Sequence, residues 1–211
     1  MQSNALTIEG LNVFRGDAHV LRNVRLSLVS GSAVLLRGDN GAGKTSLLRA
    51  ICGLLPIEEG SIRLNGMDVH RERASADAQM LYLGHQAPLK SDLSARENLG
   101  FWQAIRGAGS RGTVPDALRR MRADGFSDLP VRSLSAGQRR RVALAMLCMV
   151  DVPLWLLDEP MTNLDVAGRG LVVELMREQL ARGGMVLASL HHELEGQLSA
   201  CQVLHLDGGR S

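Results

Sequence analysis

Gly38-Asp39-Asn40-Gly41-Ala42-Gly43-Lys44-Thr45 spells a complete G-x-x-x-x-G-K-[ST] loop. In such a loop the glycines let backbone N–H groups turn inward around phosphate oxygens. The helix that follows adds its positive N-terminal end. The flanks suit this reading. Ala33–Leu36 is a short apolar run that enters the loop, and Thr45–Ile51 sets Leu47, Leu48 and Ile51 at helical spacing. Strand, loop and helix in that order is the setting a phosphate loop requires. Lys44 then reaches the β- and γ-phosphates of a nucleoside triphosphate, Thr45 ligates Mg²⁺, and Ser46 extends the phosphate site into the helix.

Outward from the loop, Leu6–Val13 and Val20–Leu28 alternate apolar and polar residues around Arg15-Gly16-Asp17, which predicts two antiparallel strands and a turn. Ser61–Leu64 and Met80–Leu83 read as further strands. From Pro88 to about Met149 the pattern becomes helical, with helices expected over Ala95–Ile105, Val114–Arg122 and Gln138–Met149. Strands resume at Leu154–Leu157, Met185–Ser189 and Val203–Leu206, with a helix near Ala167–Arg182. Strands alternating with helices imply a largely parallel sheet. The expected fold is α/β: a phosphate-loop NTPase core with a mainly parallel sheet. An N-terminal antiparallel β subdomain precedes it, and a helical subdomain is inserted over residues 88–149. Residues 1–211 are expected to form a single domain.

Two further motifs carry chemistry. Leu154–Leu157 is a buried-type strand that ends in Asp158-Glu159. Ligands of parallel sheets bind at the carboxyl ends of strands. Asp158 is therefore placed to hold Mg²⁺, directly or through water, and Glu159 to polarise an attacking water. Leu134-Ser135-Ala136-Gly137-Gln138 precedes Arg139-Arg140-Arg141. Ser135 reads as a helix N-cap, and Gly137 as a point of close backbone approach. Three arginines in a first helical turn oppose the helix macrodipole, so anionic or acidic groups are expected nearby.

Composition narrows the partners. A net charge of +2 gives a nucleic-acid partner no electrostatic support. Cys52, Cys148 and Cys201 are scattered, which reads as reduced core thiols and an intracellular compartment. No apolar run approaches the roughly 20 residues of a membrane span. Met1–Asn4 begins no secretory signal, so any membrane part is expected from another chain.

The order of these motifs resembles the nucleotide-binding subunits of ATP-binding cassette (ABC) transporters. It runs phosphate loop, Gln86, L-S-A-G-Q, the strand ending in Asp158-Glu159, Thr162-Asn163-Leu164-Asp165, then His191 after a strand. The resemblance covers nearly the whole chain and implies ATP and Mg²⁺ as ligands. It implies that Gln86 touches Mg²⁺ and the attacking water and begins the segment that senses a membrane subunit. Ser135, Gly137 and Gln138 would serve the ATP held by a second copy of the chain, and Asp165 would lie where the two copies cross. His191 would contact the γ-phosphate, with its neighbour His192 competing for the role. The family usually stacks an aromatic ring on adenine. Here the candidates are Phe14 and Arg15, with Arg15 at the aligned position, and a guanidinium can also stack on a base; Phe14 reads equally as a core residue.

Leu83-Gly84-His85-Gln86, Leu93-Ser94-Ala95-Arg96-Glu97-Asn98-Leu99 and the run from Leu134 to Ala145 resemble the haem-exporter ATPases of cytochrome c biogenesis. That branch implies an ATPase held peripherally on the cytoplasmic face of the bacterial inner membrane by integral membrane transporter subunits. Haem would be met only indirectly. There is no C-x-x-C-H motif, and His85 reads as local packing. An ATPase for a drug, lipid or polysaccharide exporter would share the same core motifs. A non-transport ABC ATPase would be expected to add a second cassette or a long coiled coil.

Overall fold

The computed structural model describes residues 5–107, 111–190, 197–198 and 200–208. A four-stranded antiparallel sheet and a five-stranded parallel sheet frame the molecule. β1 (Ala5–Arg15) and β2 (Ala18–Val29) form the hairpin expected from their alternation, and β4 (Glu59–Leu64) pairs with the other side of β1. β5 (Met67–Asp68) completes that sheet. The parallel sheet comprises β3 (Ala33–Arg37), β6 (Met80–Leu83), β7 (Leu154–Asp158), β8 (Met185–Ser189) and β9 (Cys201–His205). Its order is β6-β7-β8-β3-β9.

The parallel sheet is a wall between two apolar cores. Val34, Leu36, Leu154, Leu156 and Leu187 face the antiparallel sheet and α1 (Lys44–Ile51). Leu35, Trp155, Leu157 and Val186 face the other way. There they meet α3 (Ala95–Arg106), α4 (Val114–Arg120), α5 (Ala136–Ala145) and α6 (Val166–Ala181). A strand's side chains alternate between faces, so strands buried on both sides read as continuous apolar runs. The sheet's carboxyl edge is where the polar residues gather.

Several boundaries differ from expectation; the last strand, expected over Val203–Leu206, runs Cys201–His205. The helix expected over Gln138–Met149 starts at Ala136 and ends at Ala145, after which the chain tightens into a 3₁₀ turn over Met146–Met149. The short α2 (Arg73–Asp77) and β5 were not expected, because neither is long enough to show a period. Cys52 is buried, which pushes its thiol up to about 12, and Cys148 is pushed up to about 11 for the same reason. Cys148 and Cys201 are only partly buried, and none of the three cysteines forms a disulfide. No helix among the described residues is long and apolar enough to cross a membrane.

Each helix on the second face starts on a polar cap. Ser94 and Glu97 form a reciprocal capping box for α3, and Ser135 and Gln138 do the same for α5. Thr113 caps α4 and Asp165 caps α6. Asn98, 5% exposed, organises the chain that leads into α3. Its Nδ2 donates to the carbonyls of Lys90 (3.0 Å), Leu93 (3.3 Å) and Ser94 (2.9 Å), and its Oδ1 accepts from the Lys90 N–H (2.7 Å). Asn98→Ala strands these groups. We expect it to lower the unfolding free energy by about 1–3 kcal/mol in denaturant titrations. A loss within error of zero would show that water replaces the side chain.

Candidate active site

The loop after β3 carries Gly38, Asp39, Asn40 and Gly41 at the surface, then turns inward at Ala42, Gly43 and Lys44. Gly38 and Gly43 have φ of 142° and 98°, a region L side chains rarely adopt. A Cβ on Gly43 would lie 2.7 Å from Leu21 Cδ2, so the loop also needs glycine to sit against the β1–β2 hairpin. Lys44 is 7% exposed. Its Nζ donates to the carbonyls of Gly38 (2.6 Å) and Asp39 (3.0 Å), which holds the ammonium inside the loop. Buried Ser46 follows in the first turn of α1.

Thr45 reaches across the sheet edge to β7. Its Oγ1 donates to Asp158 Oδ2 at 2.8 Å. The other carboxylate oxygen of Asp158 accepts from Ser189 Oγ at 2.7 Å, and Ser189, fully buried, ends the intervening strand β8. Asp158 is itself 2% exposed. A hydroxyl and a carboxylate held this close form a hard oxygen donor set, which fits Mg²⁺ completed by phosphate oxygens and water. No cluster of three or more His, Cys, Asp or Glu residues suited to a metal occurs among the described residues, so the chain offers no all-protein metal cage there.

Glu159 follows in left-handed backbone, φ 49°. A non-glycine residue there costs on the order of 1 kcal/mol or more and persists where surroundings fix it. The Glu159 N–H donates to Ser189 Oγ (2.9 Å), and its carbonyl accepts from Arg140 Nη2 (2.8 Å). Its side chain is partly exposed at the sheet edge. Thr162 Oγ1 donates to Oε2 at 3.3 Å, and His85 Nδ1 lies 3.3 Å from the same oxygen.

Arg140, 5% exposed, comes from α5 and binds only carbonyls among its described hydrogen-bond partners. Nε donates to Pro160 O (3.1 Å), Nη1 to Gly84 O (2.9 Å) and more weakly to His85 O (3.5 Å), and Nη2 to Asp158 O (2.9 Å). Burial lowers its pKa, and the nearby Asp158 and Glu159 carboxylates oppose that shift. The segment 135–138 closes on its own cap, and a Cβ on Gly137 would lie 2.7 Å from the Asn163 carbonyl.

The family model for ABC transporters matches residues 21–162. The cytochrome c biogenesis ATP-binding export protein CcmA of Methylococcus capsulatus is 45% identical over 98% of this chain and 100% of its own. The chain belongs to the CcmA family of ABC transporter ATPases. A solved ATP-binding subunit of an ABC transporter matches with a TM-score of 0.85 at 26% identity, over 97% of this chain and 87% of that one. A dimeric ATP-binding cassette bound to ADP and Pi matches with a TM-score of 0.84, over 97% and 95% of the two chains. At 21% identity that likeness shows the fold alone.

Set against the sequence reading, the CcmA-family fold brings Lys44, Thr45, Asp158 and Glu159 to one sheet edge. Gln86 is exposed, one residue beyond His85 at the bend after β6. Exposed Ser135 and half-buried Gly137 and Gln138 pack beside the 159–165 loop of the same chain, through Asn163. His191 and His192 lie outside the described residues. The anionic surroundings expected for the three arginines hold for Arg141, which pairs with Asp165 at 2.6 Å, and for Arg140, which has the Asp158 and Glu159 carboxylates nearby although its hydrogen bonds go to carbonyls; Arg139 donates to the Leu134 carbonyl. His85 does not merely pack: it faces Glu159. Ser189 was missed, although a serine closing an otherwise apolar strand was visible in Met185–Ser189. Phe14 is no core residue; it stacks on His19 with centroids 4.1 Å apart. Arg15 is exposed at the end of the hairpin, opposite Ala18.

Lys44→Ala removes the buried ammonium from the loop. We expect nucleotide affinity to fall at least about 10-fold, on the scale of a charge-assisted hydrogen bond, in fluorescent-nucleotide titrations. Unchanged affinity in a folded variant would remove Lys44 from the phosphate site.

Proposed function

We propose that this chain is the ATP-hydrolysing subunit of a membrane ABC complex in c-type cytochrome biogenesis. Its cycle drives haem export, or haem release to a chaperone on the far side of the inner membrane. The whole chain acts as one cassette. The observation that carries the reading is the joint presence of two things. Lys44, Thr45, Asp158 and Glu159 meet at one sheet edge, in a chain that matches a cytochrome c biogenesis ATP-binding export protein along its full length.

In the proposed cycle Lys44 exchanges its loop carbonyls for the β- and γ-phosphates of ATP. Thr45 and Asp158, with Gln86, hold Mg²⁺ directly or through water, and the ion supplies neutralisation of phosphate charge. Glu159 orients the attacking water and takes up its proton. His191 contacts the γ-phosphate. Ser135, Gly137 and Gln138 of a second copy close over that phosphate, so the working unit is a pair with two ATPs between. Arg15, exposed at the end of the hairpin, stacks on the base through its guanidinium, while Phe14 stays with His19.

The membrane contact is proposed beside the edge strand β6. A groove of about 520 Å³ there is lined by Leu54, Arg73, Tyr82, Ile105 and Arg106. Leu54 and Ile105 are 55% and 70% exposed, more than a buried core side chain, and they suit a short apolar element of an integral membrane subunit. The chain leaving β6 through Gln86, Pro88 and Leu89 runs toward α3, so movement of that partner would be passed to the sheet edge. Haem meets the membrane subunits, not this chain.

Glu159→Gln keeps the groups that hold phosphate. We expect ATP binding to survive, turnover to fall at least about 10²-fold, and an ATP-bound pair to accumulate on size exclusion. Equal loss of binding and turnover would make Glu159 structural. In the bacterium, deletion of this chain or its replacement by Glu159→Gln is expected to remove c-type cytochromes and spare b-type ones. Haem-stained gels of membranes read this directly. A normal complement of covalent haem would keep the ATPase and discard the cytochrome role.

A further inference from the structure

The edge strand β6 pairs with β7, with Leu83 opposite Leu157. The next residues of the two strands therefore leave the sheet side by side: Gly84-His85-Gln86 from one, Asp158-Glu159 from the other. The guanidinium of Arg140 holds both exits by their carbonyls, Gly84 O at 2.9 Å on one side and Asp158 O at 2.9 Å on the other. With both backbones fixed to one rigid planar group, the side chains beyond them are set against each other. His85 Nδ1 lies 3.3 Å from Glu159 Oε2. The imidazole is 60% exposed and the Glu159 side chain 23% exposed, so the histidine covers the carboxylate from the solvent side.

The geometry points to His85 as a positioning residue for the Glu159 carboxylate, one that ties the segment leaving β6 to the group that activates water. This rests on the reading of Glu159 given above. A carboxylate has two oxygens and a freely turning terminal bond. Thr162 Oγ1, 3.3 Å away, approaches the same oxygen as His85. Together they engage Oε2 from two sides. Loss of the imidazole removes one of these two contacts to Oε2 without touching the phosphate loop. It therefore acts on the chemical step and not on nucleotide binding. The same contact gives the segment after β6 a lever: displacing His85 by way of Gln86 turns the carboxylate out of line while ATP stays bound.

The test uses the complex purified with its membrane subunits. His85→Ala is expected to lower kcat about 10-fold with KM for ATP within about twofold, the split expected when alignment is lost but binding is kept. His85→Asn, whose amide N–H can stand near the place of Nδ1–H, is expected to recover most of kcat. In the Glu159→Gln background, His85→Ala is expected to change residual turnover by less than about twofold, because its target is gone. Wild-type kcat in His85→Ala would overturn the proposal, as would a raised KM with unchanged kcat. An equal further loss in the Glu159→Gln background would overturn it too, by showing that His85 acts elsewhere. Normal turnover in Glu159→Gln alone would instead bring down the reading of Glu159 itself.

Discussion

A single buried guanidinium organises the catalytic edge of this molecule. Arg140 leaves α5 and satisfies its donors on carbonyls from the exits of two neighbouring strands. Burying a cation costs several kcal/mol unless every donor finds a partner. Where a strand ends the ladder stops, and the carbonyls of Gly84, Asp158 and Pro160 turn to the guanidinium instead. The two needs meet. A lysine could not substitute: its three donors sit on one point, whereas five donors in a planar fork can span Gly84, Asp158, Glu159 and Pro160 at once. The left-handed turn at Glu159 and the approach of His85 both depend on this pin.

The parts of the fold that the sequence declared are those governed by local periodicity. β1, β2, β3, β6, β7 and β8 all lie where alternation or apolar runs put them, because burial on one or both faces writes itself into consecutive residues. The placement of the phosphate loop between β3 and α1, and of Asp158-Glu159 at the end of β7, was legible because a strand-loop-helix run and an apolar strand ending in acids are written in consecutive residues. The role of Arg140 was not legible. Its partners are backbone carbonyls 18–56 positions away, and every residue type carries the same carbonyl. Charge logic called for anions near Arg139–Arg141, and Asp158 and Glu159 do lie near Arg140, but its hydrogen bonds go to carbonyls, whose partial charge counts for more when dry and close. His85 and Ser189 were hidden for a related reason. Each matters through a neighbour strand's residue, and register across a sheet is a tertiary fact.

Phe14 shows the reverse error. An aromatic side chain in a largely apolar strand reads as core, yet alternation along β1 sets Phe14 on the face of Asn12, opposite buried Leu11 and Val13, where it stacks on His19. The extra residue at this bulge, Val20, belongs to β2, which brings His19 opposite Phe14.

Polar pins and apolar cores divide the work between strength and freedom. The helices α3, α4 and α5 share one continuous apolar cluster with the sheet, and such contacts are non-directional. The ion pairs beside them, Arg120 with Glu178 and Arg111 with Asp151, have partners exposed by 36% or more, where a pair contributes about 0–1 kcal/mol. Small shifts of α4 against α6 therefore cost little. Arg140 is different, because pulling it from five carbonyls would strand a charge and its acceptors together, at several kcal/mol. Motion of the helical side is thus confined to arrangements that keep the α5 N-terminus docked on the sheet edge. Ser135–Gln138, one turn before Arg140, stays beside that dock. The fold places its least yielding contact where two strands deliver Asp158, Glu159 and His85 to one sheet edge.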